Sequence, residues 1–238
     1  MAILINGLLK GRLGNNIYYI KNGKNFSRPV RKITTRSEAQ LARQQLFARA
    51  GKICKTVHKD INENITQQER HLVYPRLMSC MLHLVRGLDK HVLTTGNCST
   101  WFKPCKFNNS FSVRERWHVD VDLAHVADGL LRLTIPAYIP ARELNAPAHT
   151  NYVECKMLAT GCNIHDGAST GSYATVLKID YNDTEIPAQQ IDLAIPTPPG
   201  SLIVVCMSLE YALYGRGAET INSNTRYMPS GVTAAILV

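Results

Sequence analysis

Residues 201–214 read SLIVVCMSLEYALY, an apolar stretch bounded by Pro198-Pro199-Gly200 on one side and Gly215 on the other. Its β-branched content and its glycine and proline punctuation predict a β-strand. The same reading extends outward to LLRLTIP (130–136), NYVECKMLAT (151–160), YATVLKIDY (173–181), QIDLAIP (190–196) and GVTAAILV (231–238). Pro, Gly and Asn clusters separate these segments, and no helical pattern lies between them. FSVRERWHVDVDL (111–123) alternates, with Phe111, Val113, Glu115, Trp117, Val119, Val121 and Leu123 on one side. Arg114, Arg116, His118, Asp120 and Asp122 take the other, which predicts one more strand. So many strands within residues 107–238 argue for an antiparallel β-sandwich with Greek-key, Ig-like links.

Upstream the period changes. Ser37-Glu-Ala-Gln40 and Thr66-Gln-Gln-Glu69 have the form of capping boxes, each opening a helix. On the first helix Leu46, Phe47, Ala50, Ile53, Cys54 and Val57 gather on one face, with Arg49, Lys52, Lys55 and Lys59 broadly opposite. The second carries an apolar stripe through Leu77, Met81, Leu84, Val85 and Leu88, and Pro75 is expected to disturb its first turns. Joined near residues 60–65, the two read as a helical hairpin over 36–92. The expected fold class is therefore α+β, in three parts: an arm (1–35), the helical hairpin (36–92) and the sandwich (107–238).

The arm contains NIYYIKNGKNFSRPVRK (16–32), in which Asn22-Gly23 sits between two short runs. Asn-Gly is the pair that a two-residue turn with positive φ prefers, so a β-hairpin closes there. In that register Lys21 faces Lys24, Tyr19 faces Phe26 and Ile17 faces Arg28. One face then carries these six residues, and Tyr18, Ile20, Asn25 and Ser27 occupy the other. Glycines 7, 11 and 14 read as bends between short β segments, since no G-x-x-x-x-G-K-[ST] pattern follows. An isolated hairpin is marginal in water, so at least one of its faces must dock on something.

Charge is placed unevenly. Of a net +9 over 238 residues, the first 60 hold thirteen Lys and Arg against only Glu38 and Asp60. The remainder holds fourteen basic and sixteen acidic residues. That asymmetry points to an anionic partner, either nucleic acid or the acidic face of another subunit. Tyr19, Lys21, Lys24, Phe26, Arg28, Arg31, Lys32, Arg36 and Arg43 are the candidate assembly or anion-binding residues. Stacking rings rimmed by cations suit single strands. The apolar terminal segments AILIN and TAAILV suit sheet-edge addition between subunits.

Catalytic signals are sparse. His118, Asp120 and Asp122 form an H-x-D-x-D face that could ligate a divalent metal, but same-face strand residues sit about 7 Å apart and a solvated, charge-paired face is the reading this spacing favours. No G-x-S-x-G elbow, kinase set or dinucleotide fingerprint occurs, so the expectation is no enzyme, no cofactor and no small-molecule substrate. Seven cysteines, none in a C-x-x-C pair, read as reduced, small buried thiols. Cys98/Cys105 and Cys155/Cys162 share a spacing too wide for a zinc knuckle. No apolar run reaches membrane-spanning length and no secretory leader is evident, which points to cytoplasmic synthesis.

The stretch G-x-x-x-G-x-x-G-N-N-I-Y-Y-I-K-N-G-K-x-x-x-R (Gly7 to Arg28), followed by S-E-A-Q-L-A-R-Q-Q-L-F (Ser37 to Phe47), resembles a family of uncharacterised Bacteroidetes proteins. Those open with a glycine-containing segment, a Tyr-x-x-x-Asn-Gly-Lys turn with a following Arg, and a Thr/Ser-x-x-Gln-x-x-x-Arg-x-x-Phe helix. In this chain the helix departs in register, Gln40 being followed by Arg43, Gln44 and Phe47. The resemblance implies no activity and no catalytic residues. The leading expectation is a non-enzymatic, homo-oligomeric structural subunit of a filament or virion-like particle. The alternative is a nucleic-acid-binding protein using the basic aromatic hairpin and helix.

Overall fold

The structure, a computed structural model, describes residues 2–30, 37–65, 69–92, 96–102, 105–109, 111–215, 218–221 and 228–238. The chain is mixed α+β with antiparallel sheets. It divides into two compact units, Met1–Ala42 and Arg43–Val238.

The first unit is a meander of four strands: β1 (Ala2–Ile5), β2 (Leu8–Leu13), β3 (Asn16–Lys21) and β4 (Lys24–Pro29), in that spatial order. Three two-residue turns set it. Asn6 and Gly7 have φ of 48° and 78°, and Asn22 and Gly23 have 51° and 70°. Both central residues in the left-handed region give the turn whose twist matches the flanking strands. Gly14, with φ 60°, opens the middle turn ahead of Asn15. With its carboxamide oriented to satisfy both partners, Asn25 donates to the Leu9 carbonyl at 2.9 Å and accepts from the Leu9 N–H at 3.1 Å. That contact ties β2 to β4. Among the described residues nothing before Ala50 is buried, so turns rather than a core specify this sheet.

Helix α1 (Glu38–Asn64) starts at the expected box: Gln40 N–H donates to Ser37 Oγ, and Ser37 N–H donates to Gln40 Oε1, each at 3.3 Å. Its buried stripe is Ala50, Ile53, Cys54, Val57 and Ile61. Phe47, which the period assigns to that stripe, is 57% exposed, whereas its neighbour Leu46 is half-buried against the core and the first fully buried residue is Ala50. Helix α2 (Arg70–Asp89) accommodates Pro75 in its second turn. Glu69 stands at the N-cap position rather than at the third helical residue, and its Oε1 accepts from Asn109 Nδ2 at 2.8 Å. Thr66, the other half of the expected box, lies outside the described residues.

Thirteen of the body's remaining positions decide the sheets, those of β11 (Ser201–Gly215) that pair with β8 (Thr150–Asn163). With β5 (Gly96–Asn97), β9 (Ser169–Asp180) and β13 (Ser230–Leu237) they run in the order β5-β13-β11-β8-β9, and β12 (Ala218–Ile221) pairs antiparallel with the end of β11. A second sheet has the order β10-β7-β6, from β10 (Gln189–Ala194), β7 (Leu130–Ile135) and β6 (Asp122–Ala127). Alternate residues of β11 serve two cores. Leu202, Val204 and Cys206 join α1 and α2 in one cluster. Ile203, Val205, Met207, Leu209 and Tyr211 join the small sheet in the other. Both faces of the large sheet are therefore covered, by helices on one side and by strands on the other. Gly167 lets the β8–β9 turn approach α1: a Cβ there would stand 2.7 Å from the Lys52 carbonyl carbon.

Two expectations are corrected. Residues 113–116 of the supposed strand 111–123 form a helical turn, α3 (Val113–Arg116), capped by a box in which Glu115 N–H donates to Ser112 Oγ and the Glu115 carboxylate accepts from Ser112 N–H. Alternation survives only after it, with Trp117, Val119 and Leu123 buried and His118, Asp120 and Asp122 exposed. The second concerns TAAILV, which is no free edge. It pairs with β11 on one side, while β5 and the Cys98 and Cys105 backbones occupy the other. A last short helix, α4 (Pro140–Glu143), precedes β8. Among the described residues, no helix is long and apolar enough to cross a membrane.

Candidate assembly and anion-binding surface

The β3–β4 hairpin has the register read from the sequence, with Lys21 opposite Lys24, Tyr19 opposite Phe26 and Ile17 opposite Arg28. Tyr19 and Phe26 stack at 5.8 Å between ring centroids, 20° from parallel. They remain 41% and 43% exposed, so the pair offers ring surface to solvent. Lys21, Lys24 and Arg28 flank them on the same face, all exposed. Opposed lysines repel in a sheet unless solvent or an anion separates them.

No carboxylate exists in the first 37 residues to neutralise these cations. Lys10 and Arg12 on β2 add to the charge, and Arg12 Nε is spent on the Gly14 carbonyl at 3.2 Å. Of the other candidates, Arg43 lies exposed on α1, while Arg31, Lys32 and Arg36 lie outside the described residues.

What the sequence reading missed is how much apolar side chain the same part of the sequence leaves exposed. Of thirteen large apolar side chains exposed among the described residues, eight fall within the first 47. Leu4 at 69% and Ile3 at 58% sit on β1, and Phe47 joins Leu41 on the opening turns of α1. The Asn6-Gly7 turn that positions β1 carries the same dipeptide as Asn22-Gly23, so its signal was present in the sequence. The outer backbone edges of β1 and β4 are unpaired among the described residues. So is that of β9, over twelve residues.

The body offers little reactive chemistry by comparison. All seven cysteines are free and buried. Burial pushes Cys54, Cys98, Cys155 and Cys162 up to about 12 and drives Cys206 higher still. Cys105 is raised and Cys80 lowered, chiefly by the hydrogen bond between them. Among the described residues no three His, Cys, Asp or Glu side chains stand close enough to share a metal ion, His118, Asp120 and Asp122 included. A cavity of about 630 Å³ is walled mainly by Pro196, Pro198, Pro199 and Val238. Its Thr197 hydroxyl is already engaged, by the Gly129 N–H at 3.0 Å and by His125 Nε2 at 3.2 Å.

No family model, curated protein or solved structure matches the chain.

Proposed function

We propose that the protein is a non-enzymatic structural subunit that self-assembles into a filament or virion-like particle, with residues 1–47 as its attachment segment. The observation that carries this reading is that eight of the thirteen large apolar side chains exposed among the described residues lie within the first 47, where no described residue is buried. A monomer that leaves this many Ile, Leu and Phe side chains in water has apolar surface to offer a partner. Unpaired edges on β1, β4 and β9 supply main-chain donors and acceptors for strand addition, the mode that gives affinity without a pocket.

The occupant is a second copy of this chain. The free edge of β9 ends on exposed Asp180 and runs into a loop carrying exposed Asp183 and Glu185, opposite in sign to an arm with no carboxylate before Glu38. In this reading the arm of one subunit lies along β9 of the next, a head-to-tail contact that propagates. The motifs that carry the resemblance to the Bacteroidetes proteins, at residues 7–47, fall on this same segment. The finer architecture belongs to the proposal as well: a β-sandwich with Greek-key links, supported by a chain that changes sheet at β7 to β8, β9 to β10 and β10 to β11.

Light scattering after size exclusion, with negative-stain microscopy, tests the proposal. The full chain is expected to form large species whose size grows with concentration. Removal of residues 1–36, or Val176→Lys on β9, is expected to leave monomers with an intact body. A full chain that stays monomeric at every concentration overturns it.

A further inference from the structure

The face of the β3–β4 hairpin is chemically distinct from its edges, and assembly through edges leaves it unused. Its two rings are stacked on each other yet both remain exposed to solvent. Three cations flank them: Lys21 and Lys24 are register partners beside the turn, and Arg28 lies two residues beyond Phe26 on the same strand face. Among the described residues none of the three is in an ion pair. An acidic protein surface would satisfy the charges but has no use for a paired aromatic platform. Duplex nucleic acid would satisfy them too, yet its bases are already stacked on one another. Unpaired bases need both features, since each presents a π-face beside a phosphate.

We propose that this face binds single-stranded nucleic acid, with Tyr19 and Phe26 stacking bases and Lys21, Lys24 and Arg28 contacting phosphates. The site lies wholly within the four-stranded arm sheet and does not depend on the self-assembly reading. If both hold, subunits that join through their edges present a row of such faces to one continuous strand.

Fluorescence anisotropy with labelled oligo(dT) of about 15 nucleotides, and with a duplex of the same length, tests it on the full chain. The single strand is expected to bind more tightly than the duplex. Three phosphate contacts predict roughly 20-fold weakening between about 50 and 200 mM salt. Tyr19→Leu with Phe26→Leu keeps an apolar hairpin but removes the platform, and at least about fivefold weakening is expected with the salt slope unchanged. Lys21→Gln, Lys24→Gln and Arg28→Gln together are expected to lower that slope by about two. The swap Tyr19→Phe with Phe26→Tyr should bind as the parent does, which separates lost stacking from a misfolded hairpin.

No binding at about 50 mM salt overturns the proposal. So does equal affinity for duplex combined with an indifferent leucine variant, which would leave only unspecific charge. Loss of self-association in the glutamine variant without any oligonucleotide binding also overturns it, and assigns the cations to a protein contact. Particle size measured on the same samples separates failure of this site from failure of the assembly reading.

Discussion

The arm sheet (β1 to β4) and the large body sheet are both antiparallel, but they reach that state by opposite routes. Every strand of the arm has six residues or fewer, and its strands are joined by turns centred at 6–7, 14–15 and 22–23, a repeat of eight residues. Its side chains contribute little, because none is buried. The body sheet has strands of fourteen and fifteen residues, β8 and β11, that bury side chains on both faces. Loops in the body vary widely in length, and the strands find their register through the core. A sheet specified by turns can keep its faces free for a partner. A sheet specified by burial has already used them.

The sharpest way to break this comparison is to remove apolar volume from each part. Ile53 is fully buried where α1 meets α2 and the large sheet. Ile53→Ala is expected to cost the body about 2–5 kcal/mol in urea unfolding, through lost burial and the cavity left behind. Leu4→Ala, on a side chain 69% exposed, is expected to leave the same transition within about 0.5 kcal/mol while reducing assembly. Equal destabilisation by the two would mean that the arm is part of the body's cooperative unit.

How much of this was legible in the sequence follows the same division. Asn22-Gly23 could be read because an Asn-Gly turn is a local rule, satisfied by two residues and their φ angles. Residues 201–214 could be read as a strand, but their consequence was harder to see. An unbroken apolar run, rather than an alternating one, is what a strand covered on both faces requires. The helices that cover one of those faces come from residues more than 100 positions upstream, a distance over which periodicity carries no information. Segment 111–123 failed for the reverse reason. Its four-residue helix is too short to display a 3.6-residue period, and only the Ser112–Glu115 box betrays it. As for the candidate site, charge and rings were visible in the sequence, whereas the exposure of Phe47 was not, since it depends on which side of α1 is covered, and the covered side takes Leu46 instead.

A gentler perturbation uses pH. The arm has no cysteine, and the body has all seven. Burial holds Cys54, Cys98, Cys155 and Cys162 protonated up to about 12, against an ordinary value of 9.0. Between those values the unfolded chain has released protons that the folded chain still binds, so unfolding becomes more favourable as pH rises. Body stability should therefore be insensitive to these thiols below pH 9 and should fall progressively above it. Urea midpoints across that window check the sign, and Cys155→Ala with Cys162→Ala should flatten the slope. In the folded protein a thiol reagent at neutral pH should find no reactive cysteine, and in denaturant all seven.

The most local effect is expected at the Asn22-Gly23 turn. Gly23 has φ 70°, where a Cβ meets no neighbouring atom, so Gly23→Ala incurs backbone strain without a clash. That strain is worth about 1 kcal/mol. In the body such a loss would vanish into a transition supported by two cores. In the arm it acts on a sheet with no burial to oppose it, so the hairpin should open. Amide exchange of residues 16–29 is expected to speed up while the body's urea midpoint stays fixed. Oligonucleotide affinity should fall along with it, because the Tyr19–Phe26 stack and the Lys21–Lys24 pair exist only in the closed register. Unchanged exchange would mean that something other than its turns holds the arm sheet, and the contrast with the body would have to be redrawn.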